Sequence, residues 1–156
     1  MSHIRPQAIR AAVNDGVARA VAIVGLAGFA LIHLLDLPDT IGETPYIGAL
    51  YLALIVSALV LCAALARTSA TRVWAGAAAL VTSVMASYIL SRTTGLPQDS
   101  GDVGNWGQSS GIAMLFLGGS LLALASSVLV SRMRTRALAG TALLDLGARR
   151  GLSVAA

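Results

Sequence analysis

Four long apolar runs, separated by connections of alternating charge sign, constrain this chain more than any other feature. Each run approaches the roughly 20 residues that a helix needs to cross a hydrocarbon core about 30 Å thick. A segment in lipid must satisfy its own backbone polar groups, so isolated runs of this length predict helices rather than strands. They cover about 17–35, 46–66, 73–91 and 111–131. Ten of the eleven arginines fall in the two tails, at the start of the first run (Arg19) or in the turn between the second and third runs. Five of the seven acidic residues fall in the other two connections. Basic flanks stay on the cytoplasmic side, which predicts both termini inside and two acidic connections outside. The predicted fold is all-α, a four-helix transmembrane bundle running up-down-up-down.

Composition agrees. The chain is 56% hydrophobic and 12% charged, with mean hydropathy +0.80, whereas soluble chains carry about 25% charge. A length of 156 residues leaves room for a basic tail over 1–16, the bundle over 17–131 and a second basic tail over 132–156. The net charge of +4 invites a nucleic-acid partner, but arginines confined to tails and helix ends follow membrane orientation instead, and nucleic acid is excluded. Cys62 is the sole cysteine, which excludes an intramolecular disulfide and CxxC redox chemistry. The first apolar run follows three arginines and leads into His33 and Asp36 rather than a small-residue cleavage site, so it is expected to be a retained span rather than a signal peptide.

Within this frame Arg19 is expected to snorkel to the inner interface, with Trp74 in the inner aromatic belt and Tyr88 in the outer one. The segment LDLPDTIGETP reads as a first outer loop and 92–110 as a second. A short interfacial helix is expected after Pro6, and ALLDLGARRGL is expected along the inner surface. Small residues recur at every fourth position in Ala49, Ala53 and Ser57, in Ala75, Ala79, Ser83, Ser87 and Ser91, and in Gly119, Ala123, Ser127 and Ser131. Such seams predict close helix contacts, because lipid gives apolar helices no hydrophobic reason to pair.

The polar residues that could carry chemistry gather toward the outer face. His33 shares a helical stripe with Ala22, Phe29 and Ala30, which points it into the bundle, and Asp36 follows one turn later. An ionisable residue within a span is a functional candidate by default. Arg92 alone among the arginines lies on the acidic side, with Asp36, Asp39, Glu43, Asp99 and Asp102 as possible carboxylate partners. A clamp tying the two outer loops together is its expected role, and binding an anionic group is the alternative. His33, Met85 and Met114 lie in the outer halves of three spans, and imidazole with thioethers would suit copper(I). A bis-histidine haem is disfavoured because the other histidine, His3, is in the inner tail. Catalytic triads, phosphate loops and HExxH motifs are missing. No acidic residue sits in mid-span to drive proton-coupled transport, and no internal repeat supports a transporter architecture.

Two stretches, GFALIHLLDLPDTIGETPYIGALYLAL over 28–54 and YILSRTTGLPQDSGDVGNWGQSSGIAMLF over 88–116, carry a resemblance. They resemble the characteristic segments of small, uncharacterised four-span membrane proteins of actinobacteria. The matched positions are His33, Glu43, Pro45, Gly48, Arg92, Gly95, Pro97, Asp102, Asn105 and Trp106. Where such proteins carry further carboxylates after the Asn-Trp pair and in the fourth span, this chain has Gln108, Ser109 and Gly118. The resemblance implies one outer-face cluster containing His33, Glu43, Arg92 and Asp102, and it implies no reaction.

The expected function is a non-enzymatic accessory or assembly component of the plasma membrane, needing no cofactor. The cluster of His33, Asp36, Asp39, Glu43, Arg92, Asp99, Asp102, Asn105 and Trp106 would meet a membrane-protein partner or a second copy. The alternatives are a metal- or redox-handling protein built on His33, and an oligomeric transport component.

Overall fold

The computed structural model describes the backbone of residues 6–97 and 100–154, and side chains over 9–97 and 100–141. Four helices make up the described residues: α1 (Pro6–Glu43), α2 (Pro45–Arg67), α3 (Thr71–Thr93) and α4 (Ser109–Val154). All four are long and apolar enough to cross a membrane. Large apolar side chains such as Val24, Leu35 and Phe116 stand exposed on the bundle's outside, as a lipid-facing surface requires. The chain is a multi-pass membrane protein with an all-α, four-helix bundle fold.

Each helix packs against its chain neighbours, and α1 closes the ring on α4, while the backbones of the diagonal pairs stay apart among the described residues. The α1–α2 hairpin is the most extensively packed pair and α2–α3 the least. Trp74, Leu26, Leu65, Val81 and Leu121 fill the core toward the arginine-rich end. Phe29, Ala30, Leu54, Ile55, Ala58, Tyr88 and Met114 fill it toward the acidic end.

The structure corrects several expectations. Trp74 is fully buried rather than in an aromatic belt, and its indole N–H donates to Ser69 Oγ at 3.2 Å. Tyr88 is likewise a core residue. Arg19 finds partners at the arginine-rich end of the bundle. Its Nε and a terminal nitrogen each donate at 2.6 Å, to the carbonyls of Leu65 and Ala66. A cation thus caps the last turn of α2, where unpaired carbonyls carry the negative end of the helix dipole. Arg132 completes this end, pairing with Asp15 at 3.1 Å and donating to Ser69, which itself donates to Asp15 at 2.6 Å.

The small-residue seams also face differently. Most of their members, including Ala49, Ala53, Ser57, Ala79, Ser83, Ser87, Ala123 and Ser127, are exposed. Close packing instead uses Ala22, Ala58, Ala77 and Ala125 on other faces. In an alanine-rich chain several stripes qualify as seams, and the bulky core residues decide which one turns inward.

The tails are not separate elements. α1 begins at Pro6 and runs unbroken into the first span, and α4 continues to Val154, so ALLDLGARRGL extends the fourth span's helix. Side chains beyond residue 141 lie outside the described set, as do His3 and Asp99.

Candidate functional site

The acidic end is shaped first by a corner of one residue. α1 runs to Glu43 and α2 starts at Pro45, so most of the segment expected as a first outer loop is helix. Pro38 lies inside α1, where a proline costs about 3 kcal/mol in a helix interior. Tertiary packing offsets that cost. The last turn of α1 lies against the first turn of α2, where a Cβ on Gly48 would overlap Ile41. The N–H of the buried Thr44 donates to the Thr40 carbonyl at 2.9 Å. Thr40 Oγ1 in turn donates to the Asp36 carbonyl at 2.7 Å. The helical corner has a consequence for charge. Asp36, Asp39 and Glu43 form one stripe about 10 Å long on a helix, not a flexible loop.

The second connection is held by Arg92, which is only 5% exposed. Its guanidinium forms an ion pair with Asp102, donates to Gln108 Oε1 at 2.5 Å and lies 4.9 Å over the Tyr88 ring. Its carbonyl accepts the Gly104 N–H at 2.9 Å, at a position whose φ of 81° suits glycine. Arg92 therefore does not tie the two connections together as expected; it closes the second connection onto α3 and the start of α4. It pairs with none of Asp36, Asp39 or Glu43. The tie between the first corner and the second connection comes from Tyr46, whose hydroxyl donates to the Pro97 carbonyl at 2.5 Å.

Between these two walls lies a cavity of about 330 Å³. Asp36, Asp39, Glu43 and Asp102 line it together with His33, Tyr51, Tyr88, Arg92 and Gln108. His33 is 95% buried by complement of its 5% exposure. Its Nδ1 lies 2.8 Å from the Phe29 carbonyl and so carries the proton, while its ring stacks edgewise on Tyr51 at 4.8 Å. In the neutral imidazole this leaves Nε2 as an acceptor. Asp36, Asp39 and Glu43 share the space with one guanidinium, and that guanidinium is already engaged by Asp102 and Gln108. Asp36, Asp39 and Glu43 enter no ion pair among the described residues.

A second space, about 390 Å³, opens sideways between α2 and α3. It shares His33, Tyr51, Tyr88, Arg92 and Asp102 with the acidic cavity, so the two adjoin. Ala53 and Ser57 of α2 face Ser83, Ser87 and Ser91 of α3 across it. Two of the predicted seams thus line an open cleft instead of closing a contact. The serine hydroxyls are spent on their own helices: Ser57, Ser83 and Ser87 each donate to the carbonyl four residues back. The walls are therefore small and effectively apolar.

Of the predicted residues, His33, Asp36, Asp39, Glu43, Arg92 and Asp102 converge on one cavity. Asn105 and Trp106 do not line it. Asn105 is exposed on the connection, and Trp106 packs edge-on against Tyr88 at 6.2 Å. Met114 shares the cavity wall with His33, and Met85 lies beside Gly118. Among the described residues no three His, Cys, Asp or Glu side chains are grouped to hold a metal ion. Tyr88, Tyr51 and Gln108 are site residues that sequence reasoning missed. Comparison with protein-family models, curated proteins and solved structures returned no match.

Proposed function

We propose that this protein is a non-enzymatic accessory component of a bacterial plasma membrane, with both termini cytoplasmic, that receives a positively charged group at its outer face. The observation that carries this reading is the stripe of Asp36, Asp39 and Glu43, held on a rigid helix and facing a cavity without a compensating ion pair among the described residues. The arginines at the other end of the bundle support the orientation, as do the one-residue corner and the Arg92 clamp, which set the site's walls before any ligand arrives.

A mild-detergent preparation of tagged protein tests it. Material retained stoichiometrically by the wild type and lost by Asp36→Asn/Asp39→Asn/Glu43→Gln supports the assignment. Equal retention by both proteins, or substrate turnover by the purified chain alone, counts against it. A metal-handling reading has one observation behind it, the shared wall position of His33 and Met114. Copper bound by the purified protein and lost on His33→Ala would be its signature.

A further inference from the structure

The acidic cavity and the cleft between α2 and α3 adjoin at His33, Tyr51, Tyr88, Arg92 and Asp102, and together they make a space polar at its end and apolar along its side. We propose that this space is a binding site for a membrane amphiphile with a primary-ammonium headgroup, which enters sideways from the outer leaflet between α2 and α3. The proposal rests on the cation-receiving role of the outer face and names the class of molecule that carries the cation.

Depth is the first argument. The cleft runs from Tyr46 to Ser57 on α2 and from Leu80 to Arg92 on α3, about 17 Å of helix. That is close to half of a hydrocarbon core about 30 Å thick, so the space matches the chain of a single leaflet. The least packed helix pair of the bundle borders it. Its seam residues leave room and no free hydroxyl along the helices, which suits a hydrocarbon chain.

The headgroup follows from hydrogen-bonding capacity. Asp36, Asp39 and Glu43 offer acceptors spread along about 10 Å of helix, too extended to converge on one metal ion but suited to an organic cation. His33 Nε2 is an acceptor in the neutral tautomer that the Phe29 contact selects. The buried imidazole is an independent sign: His33 is 5% exposed, it lines both spaces, and its Nε2 has no hydrogen-bond partner among the described residues. A primary ammonium brings three N–H donors and no acceptor. The one side chain that would repel it, Arg92, is neutralised by Asp102.

The test uses the full chain in phosphatidylcholine nanodiscs, with radiolabelled dodecylammonium as probe, empty discs subtracted and unlabelled ethylammonium as the chainless competitor. Saturable binding is expected, weakened at least about tenfold by the Asp36→Asn/Asp39→Asn/Glu43→Gln variant through lost charge pairing. A cleft-filling Ser83→Leu/Ser87→Leu variant is expected to weaken it by a similar factor, about tenfold or more. Ser120→Leu/Ser127→Leu, the same change on the exposed face of α4 away from both spaces, should bind like the wild type and guards against a folding artefact. Rim-dependent binding of ethylammonium and dodecylammonium alike, indifferent to the leucines, would overturn the sideways route while leaving the cation-receiving role intact. Binding of neither probe would remove the amphiphile assignment, and a co-purifying polypeptide released by the rim variant would assign the carboxylates to a partner protein's lysine instead.

Discussion

Replacing Arg92 by alanine should loosen the second connection without unfolding the bundle. The guanidinium makes three separable contacts: the Asp102 ion pair, the Gln108 hydrogen bond and the Tyr88 ring contact. Breaking a buried ion pair from one side costs about 3–5 kcal/mol. Asp102 is 40% exposed, however, so water can take over its charge, and about 1–2 kcal/mol is the better figure. The hydrogen bond adds about 1 kcal/mol and the cation over the ring about 0.5–1 kcal/mol. Because the contacts share one side chain they do not add fully, and about 2–3 kcal/mol is the expected loss. The loss is local, since α3 and α4 keep their apolar packing. Hydrogen exchange at the amides of Gly104 and Asn105, bonded to the carbonyls of Arg92 and Asp102, should therefore accelerate by about 30- to 150-fold in detergent. Proteolysis between 100 and 108 should rise in parallel. Arg67→Ala is the control, because Arg67 is exposed at the opposite end. Equal protease sensitivity of the two variants at their respective turns would refute the clamp.

Other perturbations probe the remaining walls. Gly48→Ala should destabilise the α1–α2 corner by about 1–3 kcal/mol through overlap with Ile41, and adding Ile41→Ala should restore much of the thermal midpoint. A double-mutant cycle on Asp15 and Arg132 should return a coupling of about 0.5–1.5 kcal/mol, read by thermal unfolding, and an additive cycle would show the ion pair to be incidental. Removing the cap with Arg19→Ala should cost about 1 kcal/mol, seen as faster exchange at the last turn of α2 with the acidic end unchanged. Aqueous quenchers should reach Trp106, which is 45% exposed, and spare Trp74, which is fully buried. Comparing Trp106→Phe with Trp74→Phe separates the two signals.

The number of spans and their approximate limits were legible because lipid makes hydropathy nearly decisive. The inward turn of His33 was legible too, since Ala22, Phe29 and Ala30 share its stripe and all four are buried. Pro38 misled, since a proline followed by an aspartate reads as a loop, whereas contacts at Gly48 and Thr44 keep the chain helical beyond it. Those contacts depend on where α2 returns, which periodicity does not encode. Arg92 was identifiable as the arginine against the charge pattern. Its partner Gln108 was not, because a neutral amide carries no charge signal. The aromatic belt rule placed Trp74 and Tyr88 by depth alone, but depth does not say whether a ring faces lipid or neighbouring helices. The seams show the same limit, since spacing identifies a stripe of small residues and not what it faces.

The corner at Thr44 has a consequence for biogenesis. With a single residue between α1 and α2, no tether exists on which the first span could wait across the bilayer while the second is still being made. The two spans are therefore expected to enter the membrane together as a hairpin with Asp36, Asp39 and Glu43 at its tip. Lengthening the corner with a flexible insert should uncouple those two insertion events, and glycosylation-site mapping of truncated chains during synthesis should then reveal a one-span intermediate that is not seen with the native corner.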